Sequence, residues 1–200
     1  MTADAPDRTL RERLEAGEVH LHGRLGLDYA VRPIRPEDAP SLMRGYDSLS
    51  EQGKWFRMLH AVPHLTPELA AMFCAPDPQT GLCVVIEGRP ELAGLGGEIL
   101  GGARIAEAGP GRSAEFAVSL RPEARGRGLA QGALEIVLAA AKEMGCASVY
   151  GIIARRNDAM IGLARKMGFR IEADPDDFTL VRAVIDAADI RPLPPDRFVG

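Results

Sequence analysis

The stretch Ala114-Glu-Phe-Ala-Val-Ser-Leu-Arg-Pro-Glu-Ala-Arg-Gly-Arg-Gly-Leu-Ala130 carries most of what this chain says about its fold. Together with Ser113, its first part places apolar residues on both faces of an extended segment, the pattern of a strand covered on both sides. Only Glu115 puts a formal charge inside that strand, and a lone acid in such a place is paired, neutralised or used. Pro122 cannot donate to a sheet ladder, so the strand has ended by then. The loop from Arg121 to Gly128 feeds a helix predicted to start near Arg127. Its Ala130, Ala133, Leu134, Val137, Ala141 and Met144 recur at spacings of three and four, an apolar stripe to be laid on a sheet. Gly145 closes the helix as a C-cap residue. Strand, loop and amphipathic helix in direct succession indicate an α/β fold.

A glycine-containing loop that opens a helix leaves several backbone N–H groups unpaired, with the positive end of the helix dipole behind them. That geometry suits phosphate. Gly126 and Gly128 remove side chains that would hold an anion away from the backbone, and Arg125, Arg127 and Arg121 are at hand as counter-charge. Gly-Arg-Gly is equally the sequence of a tight turn. A P-loop needs Lys-Ser/Thr at the helix start, whereas Gly128 is followed by Leu-Ala-Gln. A dinucleotide fold needs G-x-G-x-x-G and an acid about 20 residues on. Here the third glycine is replaced by Gln131, and the next predicted strand, Ala147 to Ala154, ends in Arg155-Arg156.

Arg125-Gly-Arg-Gly-Leu-Ala130 resembles the acyl-CoA-binding motif of the GNAT acetyltransferase superfamily, Arg/Gln-x-x-Gly-x-Gly/Ala. One strand later, Asn157-Asp-Ala-Met-Ile-Gly-Leu-Ala-Arg-Lys-Met-Gly-Phe169 resembles that superfamily's second signature, an Asn opening a helix that ends in Lys-x-Gly-Phe. Arg32-Pro-Ile-Arg-Pro-Glu-Asp-Ala39, Ser48-Leu-Ser-Glu51, Arg57, Leu65-Thr-Pro-Glu-Leu69 and Asp174-Pro-Asp-Asp177 are similar to the bacterial Pat-type protein lysine acetyltransferases. That likeness covers most of residues 29 to 186. The resemblance implies the GNAT fold, a mixed and mostly antiparallel sheet of six to seven strands with helices on both faces. It implies acetyl-CoA as cosubstrate and a protein lysine as acceptor, with acyl-CoA synthetases the expected targets.

An amine attacks a thioester only when neutral, and a lysine with a pKa near 10.4 is neutral in only about one molecule in 2,500 at pH 7. Glu115 is the candidate general base, since desolvation in an apolar strand would raise its pKa towards the working range. Pat-type enzymes look similar here, with a glutamate in an Ala-Glu-Phe/Val-Ala context. The competing structural reading has Glu115 held by Arg104 on the neighbouring strand. By similarity to GNAT enzymes, the Val118 amide would face the carbonyl oxygen of the thioester, and the free edge at Val118 and Leu120 would pair with the pantetheine arm. The pyrophosphate would then fall on the amides of Gly126, Arg127, Gly128, Leu129 and Ala130, beside Arg125. Asn157 would cap its helix and contact the cofactor. Many superfamily members place a tyrosine seven residues after this Asn as general acid. This chain has Ala164, so the leaving thiolate has no assigned acid.

With 200 residues, 46% hydrophobic and 26% charged, the chain has room for one core-forming domain, and a net charge of -4 argues against nucleic acid as the main partner. Cys74, Cys83 and Cys146 are odd in number and lie in apolar sequence, so they read as reduced core residues. No run is long and apolar enough for a membrane span and the N-terminus is polar and acidic, so the expected location is cytoplasmic. The expected organisation is an extension over residues 1–28, an acetyltransferase domain over 29–186 and a Pro-rich tail over 187–200.

Within the extension, Asp7 to Gly17 reads as a short helix with Leu10 and Leu14 on one side, too little apolar surface to stand alone. His20 and His22 lack a third ligand. His60 and His64 are separated by Pro63, which breaks the helix that would align them, so no metal site is expected. Tyr29 to Arg35, Leu82 to Glu87 and Ile99 to Ala106 read as strands. Gly88 to Gly97 reads as a loop, and Phe169 to Ala173 and Phe178 to Ile185 as the last strands. Thr66 caps a helix with Pro67 at its first position. Trp55, Phe56 and Met58 either fill core or, as the resemblance implies, line the acceptor side. The tail from Ile190 to Gly200 is expected to lack structure. Two other readings keep the cofactor site: a small-molecule amine acetyltransferase acting on a polyamine or antibiotic, which predicts an acid-lined acceptor pocket near Glu51 and Asp47, and a non-catalytic acyl-CoA sensor indifferent to Glu115.

Overall fold

The computed structural model describes residues 8–23, 26–89 and 95–197. In chain order these form α1 (Leu10–Glu15), β1 (His20–His22), β2 (Asp28–Pro33), α2 (Ala39–Asp47), α3 (Glu51–Met58), α4 (Pro67–Phe73), β3 (Leu82–Glu87), β4 (Ile99–Ala106), β5 (Ser113–Leu120), α5 (Leu129–Glu143), β6 (Ser148–Ala154), α6 (Asp158–Lys166), β7 (Arg170–Ala173) and β8 (Leu180–Asp186). The centre of the connection read as a loop from Gly88 to Gly97 lies outside the described residues.

The strands make one sheet in the order β1-β2-β3-β4-β5-β6-β8-β7. Every pairing is antiparallel except β5 with β6, which α5 connects. The fold is the expected α/β GNAT architecture. Its sheet has eight strands rather than six to seven, and the addition is β1, built from residues read as an extension. Helices α1, α5 and α6 pack with the larger core cluster on one face; α2 and α4 cover Val85, Ile99 and Ile34 on the other.

β1 and α1 are held by α5. That helix is apolar nearly all round, with Ala133, Leu134, Ile136, Val137 and Ala141 fully buried, so it needs more cover than the central strands alone supply. Leu10, Leu14, Val19 and Leu21 supply it, all at 3% exposure or less. The Leu21 methyls lie against Gly132, and the Leu10 amide donates to the Glu143 carboxylate at 3.1 Å. Thr9 and Glu12 cap α1 reciprocally, which lets a six-residue helix persist.

The tail is the second departure from the sequence reading. Ile190 is buried, its carbonyl accepts from Lys142 Nζ at 2.9 Å, and Arg197 pairs with Glu135 at 3.0 Å. One apolar anchor and an ion pair on α5 thus order a Pro-rich segment whose composition predicts none. His22 joins both ends of the chain: Nδ1 bonds the Asp28 carboxylate, and Nε2 lies 2.7 Å from the Asp196 carbonyl. Both ring nitrogens face acceptors, so only the doubly protonated imidazolium satisfies both. The Asp28 bond first, and the Asp196 carbonyl second, raise the His22 pKa above its ordinary value.

Two outcomes follow. Leu21→Ala, which empties a site against α5, is expected to lower unfolding free energy by about 2–5 kcal/mol in denaturant titrations. His22 is raised in the folded state, so its contribution is fully present below the unfolded histidine pKa and is lost as pH rises through the folded value. An NMR titration should find His22 deprotonating at higher pH in the folded protein than in the urea-unfolded chain, with amide exchange near Asp196 quickening over the same interval. Coincident His22 titrations in the folded and unfolded states would remove this link.

Candidate active site

Everything at the site follows from where β5 and β6 part. Their pairing is confined to Ser113–Ser148, Ala114–Val149 and Glu115–Tyr150, although both strands continue. The next residue of β5 is Phe116, whose ring lies against Gly151 of β6; a Cβ there would sit 2.5 Å from the ring. Phe169 braces the other side of that ring, centroids 5.1 Å apart. A ring filling the space beneath the diverging strands leaves β5 with a free edge.

Register identifies the groups on that edge. Arg121 N donates to Leu100 O at 2.8 Å, and the β4–β5 ladder runs without a bulge from there to Glu115. Residues 115, 117, 119 and 121 therefore turn their backbone groups towards β4, while Val118 and Leu120 turn theirs into the gap.

Beyond the strand end, Gly128 caps α5 with φ 84°, a left-handed conformation that glycine adopts without strain. The first intrahelical acceptor is Gly128 O, bonded by Gly132 N at 3.2 Å. Among the described residues, the N–H groups from Gly126 to Gln131 donate to no protein acceptor. Leu129 is buried beneath this nest, Ala130 lies at its edge, and Arg127 Nε bonds Glu123 O at 3.3 Å. On the other side, Asn157 caps α6, its Oδ1 accepting from Met160 N at 3.2 Å.

An open cleft of about 550 Å³ brings Glu115, Val118, Leu120, Arg125, Ala130 and Asn157 together. Of the candidate residues, Gly126, Arg127, Gly128 and Leu129 are not on its wall; they stand at the loop that borders it through Arg125 and Ala130. The opposite wall comes from α3 and its exit, with Phe56, Arg57 and Met58. Phe56 and Met58 are thus wall residues and Trp55 is 43% exposed, so this aromatic segment is not plain core.

Glu115 is half-buried and makes neither hydrogen bond nor ion pair among the described residues. The alternative in which Arg104 holds it does not occur. Arg104 sits opposite Ala117, diagonal to Glu115 on one sheet face, but its guanidinium lies over the Phe73 ring. Tyr150, level with Glu115 in the parallel register, has a phenol pushed up by burial and by that carboxylate, and Arg182 stacks on its ring at 4.1 Å. The sequence reading missed Tyr150. Alternation along Ser148–Ala154, given a register with Glu115, would have placed it on this face.

Other expectations fare differently. Arg121 is no phosphate ligand: it is buried, donating to Ile99 O at 2.8 Å and Glu98 at 2.8 Å, where it pins the end of β5. Ala164 is fully buried in α6, so its position offers no acid. Glu51 pairs with Lys54 and Asp47 with His64, and neither lines the cleft. Burial pushes the thiols of Cys74 and Cys83 up to about 11, which leaves them unreactive. Among the described residues no group of three metal-ligating side chains is assembled, and no helix is long and apolar enough to cross a membrane.

One parallel strand pair opening onto a nest of free amides, with a strand-borne carboxylate at the fork, is the layout of an acyl-group transferase. The chain belongs to the GNAT acetyltransferase domain family, which matches residues 29–170. A curated acetyltransferase of Pseudomonas aeruginosa is 27% identical over 158 residues, 78% of this chain and 82% of that protein. Among solved structures, the GNAT domain of the S. lividans protein PAT superposes with a TM-score of 0.76 at 24% identity, covering 86% of this chain and 97% of that one. A GNAT superfamily phosphinothricin acetyltransferase from Sinorhizobium meliloti, solved in complex with AcCoA, gives a TM-score of 0.62 at 19% identity, with 79% and 88% covered.

Gly151→Ala is expected to force the Phe116 ring aside and destabilise the fold by about 1–3 kcal/mol. A second change, Phe116→Leu, should return part of that loss. Strict additivity of the two in a double-mutant cycle would show that the ring does not hold the strands apart.

Proposed function

We propose that this protein transfers the acetyl group of acetyl-CoA to the ε-amine of a lysine on another protein, by direct attack within a ternary complex. The observation that carries the reading is the unpaired Glu115 carboxylate at the fork of β5 and β6, in one cleft with the free edge of β5.

In this mechanism the pyrophosphate of acetyl-CoA rests on the amides from Gly126 to Ala130, with Arg125 as counter-charge and Asn157 on the far side. The pantetheine arm pairs with Val118 and Leu120 and brings the thioester to the fork. Glu115 takes a proton from the incoming ammonium, and the neutral amine adds to the carbonyl carbon. Charge that builds on the carbonyl oxygen is met by the Val118 N–H. Collapse breaks the carbon–sulfur bond and, with loss of the remaining extra proton on nitrogen to solvent, yields the amide and the thiolate of coenzyme A, whose modest basicity lets it leave without an assigned acid.

The lining of the cleft supports a protein acceptor over a polyamine. Among the described residues its one carboxylate is Glu115, against Arg57, Arg104 and Arg125, so a polycation would be repelled where an acid-lined pocket is needed. Acyl-CoA synthetases are the proposed targets, and a cytoplasmic site of action fits them.

Incubation with labelled acetyl-CoA and host lysate is expected to place label in protein. Label confined to small molecules would contradict the choice of acceptor. Glu115→Gln should keep acetyl-CoA affinity and lower turnover by about 10²-fold or more, the scale of a lost general base. Near-normal turnover in that variant would exclude Glu115 as the base and revive the sensor reading.

A further inference from the structure

Among the described residues, two arginines at the acceptor end of the cleft have no counter-ion. On this face of the sheet Arg32 pairs with Asp38 at 2.7 Å and with Glu87 at 2.6 Å, Arg121 pairs with Glu98 at 2.8 Å, and Arg182, whose Nε also has no acceptor, stacks on the Tyr150 ring. Arg57 and Arg104 make no hydrogen bond and no ion pair among the described residues, and the Arg104 Nε is buried without an acceptor. Each guanidinium lies over the Phe73 ring, 5.6 Å from its centre, so the two are no more than twice that distance apart. The ring offers each cation part of a partner, and nothing anionic completes either. Burial and the nearby Arg104 push the Arg57 pKa down, the mark of a cation short of a counter-charge.

Holding two like charges together out of water is costly, and the cost is offset once an anion sits between them. Space for one exists. Arg57, Arg104, Phe73, Met58, Ala117 and Ser119 line both the cleft and a smaller cavity of about 80 Å³ behind it, several times the room one water needs. Glu115 does not serve as the anion, since it bonds neither arginine, and a bidentate partner must enter from outside.

We infer that the acceptor carries a carboxylate close to its reactive amine, and that Arg57 and Arg104 receive that carboxylate while the amine meets Glu115. This rests on the transferase reading above for the place of attack. On a protein acceptor the group is an Asp or Glu side chain beside the target lysine; on a free amino acid it is the molecule's own carboxylate. The arginines are then specificity residues, acting on the acceptor and not on acetyl-CoA.

The test compares acid with amide in two matched series, by release of coenzyme A from acetyl-CoA: peptides with Lys next to Glu against Lys next to Gln, and free lysine against lysinamide. The acidic member of at least one series should lead in kcat/KM by about tenfold or more, the scale of a charged hydrogen bond. A lead in the peptides alone places the carboxylate on a protein, and a lead in free lysine alone places it on a small molecule. Arg57→Gln and Arg104→Gln should each erase the lead while the KM for acetyl-CoA stays within about twofold, and Arg104→Lys should keep part of it. Equal rates for acid and amide in both series, or a lead that survives both Gln variants, would overturn the inference. A turnover-free measurement separates it from the transferase reading: calorimetric binding of glutarate, lost in Arg57→Gln. No acetylation with Arg57-dependent glutarate binding would sink the transferase and leave the subsite standing, whereas no acetylation and no glutarate binding would sink both.

Discussion

The Phe116 ring wedged against Gly151 is the contact on which the rest of the site depends. A parallel pair of strands ordinarily continues its ladder as far as both strands run, because unpaired backbone groups in a covered sheet are costly. Here the ladder stops after three pairs, and the ring explains why. Phe169 packed against it keeps it from swinging away, so the fork is fixed by packing and not by a flexible turn. What would be a defect in a purely structural sheet becomes two outward-facing residues of free edge, with Glu115 at the apex.

The charges are arranged in sequence along that fork. At its wide end, free amides and the positive pole of the fifteen-residue α5 make a site for anions. At its narrow end stands a lone carboxylate, and beyond it two arginines without counter-ions. Read from one end to the other, the lining is positive, negative, positive. That alternation suits a diphosphate at one end, an amine to be deprotonated in the middle, and an anionic group on the far side of the amine.

The central strands were legible to the residue: Leu82–Glu87, Ile99–Ala106 and Ser113–Leu120 each stand where alternation and turn residues put them. The place of Glu115 in its strand and of the Arg125–Ala130 stretch at the start of α5 were legible for the same reason, since both are local patterns. The first strand and the ordered tail were not. Two leucines in a short helix and a Pro-rich end bury little on their own, and both are held by α5. The clue lay in α5 itself, whose Ile136, Leu138 and Ala140 extend the apolar surface beyond one stripe. The width of the fork was hidden as well, because it arises between residues 116 and 151, far apart in sequence. Arg121 shows the reverse error, a basic residue beside a phosphate-type loop that is turned inward to hold Ile99 and Glu98. Arg57 and Arg104 were visible as residues, but that they share the Phe73 ring and lack partners is a property of the folded sheet.

The most direct test of this account is an amide NMR titration of the intact protein with acetyl-CoA. The account predicts that the largest shifts fall on Val118, Leu120 and the amides from Gly126 to Gln131, and that the Glu115 carboxyl carbon responds to the acetyl group but not to the nucleotide portion alone. Shifts clustered elsewhere, with Val118 and the loop ahead of α5 unmoved, would contradict it.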